Sequence, residues 1–143
     1  VELTTKKSTQ DVFHVERNPL AGLPALKGRV AVYVPTTQGG GPATAQVVQY
    51  QKEKVAEALS RYFGGFTIIE GEGGWYSETQ GKLIRERVWI VYAGCDQAVL
   101  TRCLASVVRL AGQVARAMAQ ECVTLEVNGT LYFVPQTAAE MVP

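Results

Sequence analysis

The chain is poor in the residues from which most reactive sites are built. In 143 residues it has one histidine, His14, and three cysteines, Cys95, Cys103 and Cys122. A lone imidazole with no cysteine or carboxylate cluster beside it gives neither a metal-ligand set nor an acid–base partner, so the expected role of His14 is packing or surface. The cysteines are odd in number and form no C-x-x-C pair. They supply no disulfide framework, and they favour reduced, mostly buried thiols in a cytoplasmic setting. Charge of one sign is also missing. Fourteen Lys and Arg against thirteen Asp and Glu leave a net charge of +1, too little to draw the whole molecule to nucleic acid or to an anionic membrane. No apolar run approaches the roughly 20 residues that cross a bilayer, and the polar N-terminus is not signal-like, so no membrane partner is expected. Val1 rather than Met stands first, which leaves the native start open. The composition is 47% hydrophobic, enough for one domain with a single core.

What is present is organised around Gly65 to Tyr92. Phe66 to Glu70 and Leu83 to Tyr92 are rich in β-branched and aromatic residues, while Gly71, Gly73, Gly74, Ser77 and Gly81 interrupt the stretch between them. This predicts a long hairpin with a glycine-rich tip that projects from the body. Glu70, Glu72, Trp75 and Tyr76 fall at that tip as candidate binding residues. In the second strand Arg85, Arg87, Trp89 and Val91 lie on one side and Ile84, Glu86, Val88, Ile90 and Tyr92 on the other. The more apolar second set is expected to face helices. Arg85, Arg87 and Trp89 would then decorate the open face of the sheet, with Tyr33 as a neighbour. Aromatic rings and guanidiniums on an open sheet can stack and neutralise single-stranded nucleic acid, or form a dimer interface. The arginines can equally pair across the strands with Glu70 or Glu72, for about 1 kcal/mol or less each.

The other elements follow in order. Residues 1–28 read as an arm anchored through Val12, Phe13, Val15, Leu20 and Leu23. Arg29 to Pro35 alternates as a first strand. Thr36 to Thr44 holds Gly39, Gly40 and Gly41 before a helix, so the free amides there, with Thr44, are a candidate site for a small anionic ligand. The match to phosphate-binding motifs is poor, because no lysine follows the glycines. Ala43 to Phe63 is helical, and a second helix follows Asp96, its apolar arc wider than one sheet-facing stripe. Three arginines, Arg102, Arg109 and Arg116, share its polar side. Glu121 to Val127 and Thr130 to Val134 flank Asn128-Gly129, a strong signal for a type I′ hairpin. Residues 136–143 read as a loose tail. The expected fold class is therefore α+β, a ferredoxin-like β-α-β-β-α-β sandwich over residues 29–135 with an extra C-terminal strand.

The hairpin residues Gly65, Thr67, Gly71, Gly73 and Trp75, followed by Gly81, Ile84, Arg85 and Glu86, spell G-x-T-x-x-x-G-x-G-x-W and G-x-x-I-R-E. This pattern resembles a signature shared by small bacterial proteins of a domain family of unknown function. The resemblance implies a ferredoxin-like plan and no activity. Three functions follow as expectations. The first is a non-enzymatic homo-oligomer, a dimer foremost, that binds a small anionic ligand or a protein partner and uses no cofactor. The second is a single-stranded nucleic-acid module using Tyr33, Arg85, Arg87 and Trp89. The third is a small enzyme with Glu70, Glu72, Tyr76 or Tyr92 as proton carrier, for which the sequence shows no nucleophile and base in a recognisable set.

Overall fold

A computed structural model of the chain describes residues 18–142 and the backbone of residues 2–3 and 5–6. Val12, Phe13, His14 and Val15 lie outside the described residues. Leu20 and Leu23, expected to anchor the arm, are instead 70% and 58% exposed. The body runs β1 (Gly28–Pro35), α1 (Ala45–Phe63), β2 (Thr67–Ser77), β3 (Lys82–Cys95), α2 (Gln97–Ala117), β4 (Cys122–Val127) and β5 (Thr130–Pro135). A 3₁₀ turn, Gln136–Glu140, follows β5. The five strands form one antiparallel sheet in the order β2-β3-β1-β4-β5. This is the ferredoxin-like order with a fifth strand added beyond β4.

Each element begins and ends for a local reason. Thr44 caps α1 by accepting from the Val47 amide at 3.2 Å, and Gly64 closes it in the left-handed region at φ 95°. Asp96 caps α2, accepting from the Ala98 and Val99 amides. Val30, Val32 and Val34 alternate onto the buried face of β1, where Val55 and Leu59 of α1 and Val107 and Val114 of α2 meet them in one core. Asn128 and Gly129 both take positive φ, 52° and 87°, as a type I′ turn requires. The Asn128 side-chain oxygen also accepts from the Arg29 amide at 2.8 Å, while the Asn128 backbone amide donates to the Arg29 carbonyl at 2.9 Å. Asn128→Ala should therefore lower stability by about 1–2 kcal/mol in chemical unfolding, losing both the side-chain bond and a residue that tolerates left-handed backbone. Asn128→Gly, which keeps the backbone preference, should fall between the two. Equal stability of all three proteins would remove this assignment.

Three differences from the sequence reading have physical causes. The hairpin strands run to Ser77 and from Lys82, joined by a tight Glu78–Gly81 turn, so Gly71, Gly73 and Gly74 lie within a strand. A strand that holds three glycines still pairs, because its partner β3 supplies β-formers. The C-terminal segment is no loose tail. Its 3₁₀ turn packs on α2 at Gly112, where even a Cβ would meet Ala138 carbon atoms at 2.7 and 2.9 Å. Together with α1 it covers much of the wide apolar arc of α2, leaving Leu104 exposed. That helix is long and apolar enough to cross a membrane by length and composition alone, contrary to the sequence reading. Its buried stripe of Val107, Leu110, Ala111 and Val114 packs as a core helix does.

Candidate functional site

Register decides which side chains share a face. Trp89 pairs with Val34, and Val91 with both Val32 and Ile68, so Arg85, Arg87, Trp89 and Val91 stand on the helix side. The expected assignment is reversed. The larger apolar row of Ile84, Val88, Ile90 and Tyr92 misled because β3 is 14 residues long, and only its second half lies under the helices. There the small Ala93 and Cys95 suffice to fill the core. Tyr33 pairs with Ile90 on the opposite face, so the proposed cluster of Tyr33 with Arg85, Arg87 and Trp89 does not exist.

The charges on the helix side are mutually satisfied. Arg87 reaches Glu70 at 2.6 Å and Arg85 reaches Glu72 at 3.1 Å, each a diagonal cross-strand pair. Both are well exposed, so neither adds more than about 1 kcal/mol. Lys52 of α1 sits 3.5 Å above the Trp89 ring, a cation–π contact. These partners remove the free guanidiniums and the open ring on which a nucleic-acid site depended. The glycine loop is similarly committed. Thr37–Gln38 pairs with Gly41–Pro42, Gly39 donates to the Met118 carbonyl, and Thr44 already serves its helix as cap. Gly40 and Gly41 have open space where a Cβ would stand. Tyr76, on the helix side near the tip, is exposed, while Tyr92 lies under the Arg29 guanidinium at 3.9 Å.

The open face carries a different site. The hairpin curls over the sheet so that its glycine strand approaches the start of β4, and between them lies a cleft of about 290 Å³. Gly71, Gly73 and Gly74 form one wall, and Tyr33, Val88 and Ile90 form the floor. Trp75, Glu86, Gln120, Cys122 and Thr124 stand around its rim. Glycine is needed at Gly74, where a Cβ would collide with the Ile84 carbonyl of the paired strand. The absent side chains at Gly71 and Gly73 are what leave the wall hollow. Gln120 is fixed by its side-chain amide donating to the Thr37 carbonyl at 2.9 Å, while its backbone carbonyl accepts from the Gln136 side chain at 2.8 Å. Glu86 is half-buried in an otherwise apolar row, and no cation among the described residues pairs with it. Cys122 is exposed at the rim, whereas Cys95 is buried, and burial first, then Asp96 and Cys103, pushes its thiol up. A protonated, enclosed Cys95 is inert.

Of the tip residues singled out in the sequence, Glu72 and Trp75 line this cleft, and of the two only Trp75 stands on the open face. Glu86, Gln120 and Cys122 were missed as site residues. The signal for Glu86 was a carboxylate interrupting the row Ile84, Val88, Ile90, Tyr92. Gln120 and Cys122 gave none, because only the curl of the hairpin brings residues 71–75 beside them.

No family model matches the chain, and no curated protein matches it significantly. Solved structures do share its fold. A phage SAM lyase in complex with S-methyl-5′-thioadenosine aligns at 16% identity and a TM-score of 0.51, over 79% of this chain and 95% of that one. The apo form of a phage SAM lyase aligns at 14% identity and a TM-score of 0.53, over 85% and 96%. A Bacillus cereus protein related to NIF3 aligns at 14% identity, over 78% of this chain and 28% of that one, with a TM-score of 0.43. The first two are enzymes, which overturns the expectation of a non-enzymatic binding protein. At these identities the likeness concerns the fold, and the chemistry must be argued from the cleft.

Proposed function

We propose that the chain is an enzyme that breaks a carbon–sulfur bond in a sulfonium nucleoside of the S-adenosylmethionine type, in the cleft beneath the curled hairpin. The observation that carries the reading is the make-up of that cleft. Trp75 and Tyr33 offer ring faces for a purine and for a sulfonium cation, the glycine wall admits a flat group against backbone, and Glu86 is a carboxylate in apolar surroundings. At about 290 Å³ the cleft sits near the lower bound of small-molecule sites. Its likeness in fold to phage SAM lyase supports the choice of substrate class.

The chemistry suits such a site. In an elimination, the carbon next to the one bound to sulfur gives up a proton and a carbon–carbon double bond forms. The carbon–sulfur electron pair returns to sulfur, so a cation becomes a neutral thioether. Glu86 takes the proton in this reading. An apolar, weakly hydrated floor disfavours the charged sulfonium relative to the product, which lowers the barrier to bond cleavage. Three free thiols suit an enzyme of the reducing cytoplasm.

The test is incubation of the purified protein with S-adenosylmethionine, followed by mass spectrometry against a protein-free control. Accumulation of S-methyl-5′-thioadenosine above the control is expected. Unchanged substrate, or S-adenosylhomocysteine as the product, would sink the proposal.

A further inference from the structure

The strand β5 ends the sheet, and its outer edge has no neighbour among the described residues. Its sequence, Thr130-Leu131-Tyr132-Phe133-Val134-Pro135, carries no charge. Exposed edges are ordinarily blunted by charge, proline or bulges, and β5 has of these only Pro135, at its last position. The opposite edge, β2, follows that rule, with Glu70 and Glu72 along it. On β5 the reverse holds: Leu131, Tyr132 and Phe133 are consecutive and 50%, 52% and 67% exposed. Because strand side chains alternate, Leu131 and Phe133 lie on the open face and Tyr132 on the helix face. A partner docked on either face alone would leave the other apolar surface wet. A strand added at the edge covers both.

Beside this edge, on the helix face, runs an apolar groove of about 790 Å³, lined among others by Leu104, Val108, Tyr132, Ala138 and Met141. Its floor includes Leu125, and its only charged lining residue is Glu140, which is neutralised by Arg116 at 2.8 Å.

We infer that β5 pairs antiparallel with β5 of a second copy, joining two sheets of five strands into one of ten with the Tyr132 ring of each copy lying in the groove of the other. Two identical strands in an antiparallel ladder are related by a two-fold axis, so the contact closes on itself as a dimer. An uncharged strand meets its own copy without repulsion. Pro135 has no amide to donate, which limits the ladder to the first five residues. A ladder about 17 Å long buries too little by itself, since stable contacts bury about 800 Å² per partner. The groove and the exposed rings on both faces supply the remainder. The inference does not depend on the catalytic reading.

Light scattering and sedimentation of the whole chain should give twice its 15.5 kDa mass. Tyr132→Lys sets two like charges against each other at the axis and should weaken association by at least about 100-fold, returning the single-chain mass. Ile69→Lys, on the distant strand β2, should leave the dimer intact. Amide exchange of residues 131–134 in the unaltered protein should slow as concentration rises, a readout that does not rely on any variant folding. A single-chain mass at about 0.1 mM, about 5.5 kcal/mol of association, would overturn the inference. So would a dimer that survives Tyr132→Lys, or exchange at β5 that ignores concentration.

Discussion

Glu86→Gln should lower the rate of sulfonium cleavage by about 10²- to 10⁴-fold, the range over which a positioned proton acceptor acts, while binding of S-methyl-5′-thioadenosine changes only a few-fold. The substitution preserves size and the capacity to hydrogen-bond, and it removes the ability to take a proton. Glu86 is half-buried among Ile84, Val88 and Ile90, and no cation among the described residues pairs with it, so the variant has no ion pair to lose and should fold. Steady-state kinetics read the first effect in kcat, and calorimetric titration with the thioether reads the second. A variant as active as the parent would remove Glu86 from the reaction. A loss of binding equal to the loss of rate would make it a binding group only.

The second large effect concerns Gly112→Val. The residue is buried where α2 meets the 3₁₀ turn, and a side chain there would run into the backbone of Ala138 and Ala139. Backbone yields less readily than a flexible side-chain end, so the turn must leave the helix. With it go the Arg116–Glu140 pair and the bond from the Gln136 side chain to the Gln120 carbonyl. Overpacking of this kind costs about 1–3 kcal/mol, and the undocked turn adds exposed apolar surface. Thermal unfolding should fall by roughly 10 °C for a chain of this size. The control is a chain shortened after Pro135. There the valine has nothing to strike and should cost little, and an equal loss in both backgrounds would show that the strain lies within α2 instead.

The architecture could be read from the sequence because its signals were local. Alternation in Val30–Val34, the Asp96 cap, the Asn128-Gly129 turn and the helical spacing of Val48, Val55 and Leu59 each depend on residues close in the chain. Facing was not local. Apolar content favoured the row of Ile84, Val88 and Ile90 as the buried one, but which row meets the helices depends on where β1 pairs along a 14-residue strand. The cleft was hidden for the same reason. Gly71 to Trp75 and Gln120 to Thr124 are some 50 positions apart in sequence, and only the curl of the hairpin joins them. The C-terminal turn escaped because Gln136–Glu140 has no period of its own, and its partner is the small gap at Gly112.

The hairpin extends past the last pair between β1 and β3, Pro35 with Val88. Beyond that point, apart from the Thr36 hydroxyl donating to the Arg87 carbonyl at 2.8 Å, each strand is paired only with the other, and an isolated two-stranded ribbon is marginal in water. One wall of the cleft is therefore a springy flap rooted on a stiff base. Its backbone order parameters over residues 72–86 should fall below the rigid value of about 0.85 and rise toward it when a nucleoside wedges the flap, whereas those of Val30 to Val34 stay high throughout. Rigid values over the whole hairpin before any ligand is added would mean that the cleft is preformed and admits its occupant without bending.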